Sequence, residues 1–220
     1  MHPEPGSFVA QPVEDRAIAR SRRGCEHGRV SRPRVVLVTG VPGSGKSTLA
    51  RELALRLRLP FIARDDVRGG LLFSAGAWGD ELRRIPPGDE AVEVFLTAVE
   101  GLLTSGVSCV IEYVVRRNRP QDFDRLASIS DCVVIMTRCE DPMSRVKERN
   151  LVDRLASNRA VLRASGFSSI EEHTKAVVER MRSVQDDMLL SFAVPFLEVD
   201  TNVGYVPSLD DITEFVTALH

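Results

Sequence analysis

From Arg34 onward, apolar runs alternate with amphipathic segments, the order expected of parallel strands whose sheet is covered by helices on both faces. "RVVLVT" is an apolar strand, and "KSTLARELALRLR" after it sets Leu49, Leu53 and Leu57 on one helical stripe while Arg51, Glu52, Arg56 and Arg58 face outward. Pro60 stops that helix, and "FIA" makes a short second strand. "GDEAVEVFLTAVEGLLTSG" carries Val92, Phe95, Leu96, Val99 and Leu103 at helix spacing, with Asp89 as the expected N-cap and Gly106 as the stop. "VSCVIEYVV" and "DCVVIMT" are strands apolar enough to be buried on both faces, and between them "PQDFDRLASI" makes a helix with Phe123, Leu126 and Ile129 inward. Asp141 and Pro142 open a densely charged helical region. "IEEHTKAVVERMRSVQDDMLL" then places Val177, Met181, Val184 and Met188 on one stripe, and the chain closes with the strand "PFLEV" and the helix "LDDITEFVTAL". The expected fold is α/β: a parallel sheet of about five strands with helices on both faces.

Composition changes this picture little. The chain has 220 residues, 43% of them hydrophobic and 27% charged, enough for one domain with a sizeable core. A net charge of -2 gives no overall attraction to nucleic acid or to an anionic membrane. No apolar run approaches the roughly 20 residues that span a bilayer, and the N-terminus has no basic head followed by an apolar stretch, so the expected location is cytoplasmic. The four cysteines lack CxxC spacing and are read as free thiols, and the four histidines lack metal-ligand spacing. Residues 1–33, with "RSRRGCEHGRVSRPR", are too polar to offset their ordering entropy and are read as a disordered tail before a domain of residues 34–220.

"GVPGSGKST", Gly40 to Thr48, fits GxxxxGK[ST] and lies between a strand and a helix, as the physics of a P-loop requires. Gly40, Gly43, Ser44 and Gly45 let backbone N–H groups curl around phosphate oxygens, the helix N-terminus adds positive potential, Lys46 neutralises the terminal phosphates, and Ser47, with Thr48 beside it, offers a hydroxyl to magnesium. ATP and magnesium are therefore the expected ligands. A GTPase would carry a guanine-reading NKxD-like motif late in the chain, and none is present. "RDDVR", Arg64 to Arg68, follows the second strand, where α/β folds bind ligands.

At "GVPGSGKST", at "RDDVR" and more loosely at "RVKERNLVDR", the sequence resembles the small P-loop kinases of the AAA-type ATP-binding group that includes phage-type polynucleotide 5'-kinase, chloramphenicol phosphotransferase and the zeta toxins. The resemblance implies that Asp65, three residues before Arg68, is the general base for an acceptor hydroxyl, and that the charged region is a lid whose Arg149 and Arg154 close over the phosphates. It also implies that "EVDTNVGY", with Asp200 and Thr201, borders the adenine. Phosphoryl transfer needs the same parts without the analogy: an oriented hydroxyl, a proton acceptor and cations around the transferring group. Asp66 could pair with Arg64 or Arg68 or assist magnesium through water. Glu112, an expensive carboxylate inside "CVIEYVV", could orient the magnesium shell, bind the acceptor or pair with Arg116 or Arg117. Phe73 and Trp78 could wall the acceptor pocket or pack a core.

The expected activity is ATP- and magnesium-dependent phosphorylation of a hydroxyl on a small-molecule acceptor, without a membrane partner. One alternative is a polynucleotide 5'-hydroxyl kinase: "RDDVR" speaks for it, and against it stands the absence from this sequence of a clear basic, aromatic-studded channel for single strands. Another is a regulatory P-loop ATPase that phosphorylates no acceptor.

Overall fold

The computed structural model describes residues 32–75, 88–146, 169–188 and 192–219. The lid, with Arg149 and Arg154, the segment around Trp78 and the tail before Arg32 lie outside the described residues. The others fall in the unit Arg32–His220.

Five parallel strands form one sheet in the order β2-β3-β1-β4-β5, and in sequence they are β1 (Arg34–Gly40), β2 (Phe61–Ala63), β3 (Cys109–Glu112), β4 (Asp131–Arg138) and β5 (Phe196–Asp200). The helices between and after them are α1 (Lys46–Leu57), α2 (Arg64–Ser74), α3 (Gly88–Thr104), α4 (Gln121–Ile129), α5 (Ile170–Asp187) and α6 (Leu209–Ala218), and residues 142–146 are also helical. Successive side chains of a strand point to opposite faces. Val35 and Leu37 accordingly enter a core with Phe95, Leu96, Phe123 and Leu126, and Val36 and Val38 one with Leu49, Leu53, Ile212 and Val216. Helices α3 and α4 thus cover one face, and α1 and α6 the other. Central β1 and β3 are buried throughout from Val35 to Gly40 and from Cys109 to Glu112, which is why their sequence shows a continuous apolar run rather than alternation.

Several boundaries differ from expectation for local reasons. Asp89 lies in the first turn of α3 rather than before it, where its charge still complements the helix dipole. Gly106 ends the turn after α3 at φ 78°, as a stop should. β3 stops at Glu112, because the next residues fold back: Tyr113 donates to the buried Asp122 at 2.5 Å and Arg116 bridges to Met188. No described helix is long and apolar enough to cross a membrane.

Candidate active site

All five strands point their carboxyl ends the same way, so the loops that follow β1, β2, β3, β4 and β5 gather along one edge. The loop after β1 is the glycine-rich one. Gly40, Gly43 and Gly45 have φ of 142°, 87° and 82°, backbone that side-chain-bearing residues rarely adopt. At Gly43 the constraint is also spatial, since a Cβ would lie 2.2 Å from the carbonyl oxygen of Pro142. The loop is held from beneath by buried hydroxyls. The Ser44 hydroxyl lies 2.6 Å from the Val41 carbonyl and 2.6 Å from the Thr137 hydroxyl, which donates to the Thr39 carbonyl. The Thr201 hydroxyl lies 2.9 Å from the carbonyls of Ser44 and Arg138.

Helix α1 starts at Lys46 with Gly45 as N-cap, with no side-chain cap and no acid in its first turn. By contrast α5 and α6 begin with serine caps, Ser169 and Ser208, followed by acidic pairs. An uncapped N-terminus keeps its orphan N–H groups and its positive dipole end available to an anion, so these residues fit a nucleotide's phosphates. Ser47 is half-buried in that first turn and Thr48 is exposed.

Lys46 is buried, with its Nζ 3.1 Å from the Val41 carbonyl and 4.0 Å from Oε1 of Glu112. The register explains the meeting: Val38 pairs with Glu112 across β1 and β3. Glu112 therefore faces Lys46, not Arg116 or Arg117. Those two arginines are held instead by the end of α5, where Arg117 donates its N–H to Asp187 at 2.7 Å and its Nε to Met188 at 3.2 Å. Ser47 and Glu112 carry hard oxygens of the kind that magnesium takes.

On the other side of β3, Ala63 pairs with Glu112, and α2 begins at the next residue. "RDDVR" is therefore the opening of a helix, with Asp65 and Arg68 on neighbouring turns of one face. Arg64 holds Asp65 at 3.0 Å, while Asp66 pairs not with Arg64 or Arg68 but with Arg51 of α1 at 3.1 Å. Arg51 also lies over the Phe61 ring, 5.2 Å from its centroid, and so ties α1 to the start of β2 and α2. The Nε of Arg68 is buried without a hydrogen-bond partner among the described residues. Burial pulls its guanidinium below its ordinary value, Arg64 and Arg180 act in the same direction, and Asp65 opposes them.

Beyond the P-loop, a cavity of about 640 Å³ opens over the ends of β4 and β5, lined among others by Val41, Thr137, Arg138, Asp186 and Asn202. Asp200 contributes to its wall, but its carboxylate accepts from the Asn202 N–H at 2.7 Å and side-chain amide at 2.9 Å. Arg145 donates to the carbonyls of Thr201 at 2.8 Å and Asn202 at 3.1 Å, so the start of the charged region is pinned to the loop after β5. Asp141 caps that start through the Ser144 N–H at 3.0 Å.

The family model for the AAA domain matches residues 36–165, more than half of the chain. The chain belongs to this family. No curated protein matches the AAA domain chain. Among solved structures, a candidate kinase from Chloroflexus aurantiacus aligns with a TM-score of 0.59 at 24% identity, covering 86% of this chain and 96% of that one. A gluconokinase from Sinorhizobium meliloti aligns with a TM-score of 0.51 at 17% identity, covering 86% and 94%. Both likenesses are of fold: this AAA domain has a P-loop NTPase-like architecture.

Within it, sequence reasoning singled out the loop, Lys46, Glu112, Asp65 and Arg68, and the structure gathers them along one edge. It did not find Thr137 as a support of the loop or Arg51 as the partner of Asp66. Nor did it find Arg180 near Arg68. Such pairings are set by strand order and helix docking, and leave no motif.

Proposed function

We propose that this AAA domain is a kinase that transfers the gamma-phosphoryl group of ATP to a hydroxyl of a small-molecule acceptor, with residues 34–220 as the kinase domain. The observation that supports it best is the buried pair Lys46 and Glu112 beside an uncapped P-loop helix, with Asp65 and Arg68 beyond the neighbouring strand end. In this reading Gly40, Gly43, Ser44, Gly45 and Thr48 hold the phosphates with their backbone, and Lys46 balances the charge of the transferring group. Magnesium, held through Ser47 and Glu112, would neutralise charge on the phosphates.

Asp65 takes the proton of the acceptor hydroxyl as its oxygen bonds to the gamma phosphorus. The bond from that phosphorus to the bridging oxygen breaks, and ADP leaves. Arg64 keeps Asp65 aimed, and Arg68 holds the acceptor, with Asp66 tying α2 to α1. Arg116 stands near the acceptor on the segment pinned by α5. Arg149 and Arg154 are proposed as lid cations acting on the transition state, and Asp200 and Thr201 as the border of the base.

Asp65→Asn tests the reading. Transfer should fall by about 10²- to 10⁴-fold while ATP affinity is kept. Retained transfer would remove Asp65 as base. An ATP hydrolysis rate that is unchanged, with no labelled acceptor in the wild type, would favour the regulatory ATPase.

A further inference from the structure

Strand β3 is held loosely by its backbone at the end that carries Glu112. Glu112 is its last paired residue on both sides, matched with Val38 of β1 and with Ala63 of β2. Past it, the Tyr113 N–H makes one long bond to the Val38 carbonyl at 3.3 Å. An element end tied so weakly is prone to fray, yet this one bears a buried carboxylate whose position against Lys46 decides what it can do.

The side chain of Tyr113 supplies the hold that the backbone does not. Successive side chains leave a strand on opposite faces, so Glu112 turns toward Lys46 and Tyr113 into the core that α3 and α4 cover. There its ring lies 5.5 Å from that of Phe95, and its hydroxyl donates to Oδ2 of Asp122 at 2.5 Å. Asp122 is 1% exposed. A carboxylate so buried is tolerated where its charge is matched, and Arg119 matches it at 3.0 Å while reaching Asp89 at 2.7 Å and Glu93 at 3.3 Å on α3. The group that accepts the tyrosine proton is thereby tied to both helices. A phenylalanine at this place would pack the same core, so what the hydroxyl adds is position.

We propose that Tyr113 and Asp122 are positioning residues: their bond holds the carboxyl end of β3 and so keeps the Glu112 carboxylate where it serves Lys46 and the magnesium of a bound nucleotide. This rests on the kinase reading above, in which Glu112 helps to hold that ion. Magnesium demands near-ideal octahedral geometry, so a carboxylate freed to swing weakens it. Phosphates held by the backbone of the P-loop are indifferent to the same displacement. The loss is therefore one of magnesium dependence, not of nucleotide binding as such.

The test titrates magnesium against the binding of a fluorescent, non-hydrolysable ATP analogue, with thermal midpoints measured alongside. Wild type, Tyr113→Phe, Glu112→Gln and the double variant are compared. In the wild type magnesium should tighten the analogue. Tyr113→Phe should raise the half-saturating magnesium concentration at least about fivefold and leave metal-free affinity unchanged. Glu112→Gln should raise it further, and adding Tyr113→Phe to Glu112→Gln should move it no more, because the tyrosine acts only through the glutamate. Asp122→Asn keeps an oxygen for the tyrosine but loses the charge that Arg119 matches. It should lower the thermal midpoint while raising the magnesium requirement less than Tyr113→Phe does.

A Tyr113→Phe protein that melts lower but keeps the wild-type magnesium requirement overturns the inference, as does a double variant in which the two shifts multiply. Unmoved requirements in both single variants overturn it together with the assignment of Glu112 to magnesium. A wild type that binds no analogue, or binds it without regard to magnesium, overturns the kinase reading itself. If Tyr113→Phe does not fold, Asp122→Asn decides alone: an unmoved magnesium requirement overturns the inference.

Discussion

Glu112 is the last residue of β3, buried, and 4.0 Å from the ammonium of a buried lysine. A carboxylate in such a place is costly unless its charge is used, and two uses are open to it: to hold Lys46 in place, or to order the magnesium shell. They predict different things for Glu112→Gln. If the shell is its role, transfer at saturating ATP should drop by about 10²-fold, with the activity curve displaced to higher magnesium and thermal stability nearly kept, because Lys46 still donates to the Val41 carbonyl. If the charge pair is its role, stability should fall by about 3 kcal/mol with the magnesium dependence unmoved. A magnesium titration of activity beside a melting curve reads both.

At the scale of elements, the P-loop is not a free-standing turn. It is clamped between the loop after β5, through Thr201, and the start of the helical segment 142–146, through Pro142. Gly43 and Gly45, both left-handed, therefore differ in what they tolerate. At Gly45 a Cβ would meet Thr201 at an ordinary 3.5 Å, so Gly45→Ala carries only the cost of a left-handed alanine, about 1–2 kcal/mol. At Gly43 the same backbone cost is joined by a 2.2 Å encounter with a backbone oxygen. Gly43→Ala should therefore weaken a non-hydrolysable ATP analogue far more than Gly45→Ala, by about tenfold or more beyond it. Equal losses measured by titration would mean that segment 142–146 yields freely and does not restrain the loop.

For the molecule as a whole, alkaline pH is the sensitive direction. Burial, with a smaller contribution from Cys132, pushes the Cys109 thiol up from 9.0 to about 11. Burial and the bond to Asp122 likewise push Tyr113 upward. Each folded value lies above its unfolded one: for Cys109 the stability tied to the neutral form is complete below about pH 9 and is lost as pH rises through about 11, and for Tyr113 the loss begins near pH 10 and continues to higher pH. For Cys109 the loss is on the order of 2 kcal/mol. Urea midpoints measured from pH 8 to 11 should fall, and Cys109→Ala should fall less steeply over the same range. Parallel declines would assign the effect to other groups.

The sequence by itself determined the strands, most helices, the P-loop and the residues of "RDDVR". Each of these rests on short-range physics: apolar periodicity, glycine where φ is positive, and a carboxylate and an arginine three residues apart. Asp65 and Arg68 were legible through the resemblance of "RDDVR" to small P-loop kinases, although the helix they open was not, and Lys46 because its spacing from the glycines is fixed. Tertiary structure alone decided the partners. Val38 pairs with Glu112 only because β3 lies beside β1 in the sheet, and that strand order gave Glu112 to Lys46 rather than to the nearer-in-sequence Arg116 and Arg117. An ion pair between α1 and α2 joins Asp66 to Arg51, fifteen residues apart along the chain. Local pattern fixes which groups a chain carries, but a charge finds its partner through space, at separations along the chain that no period records.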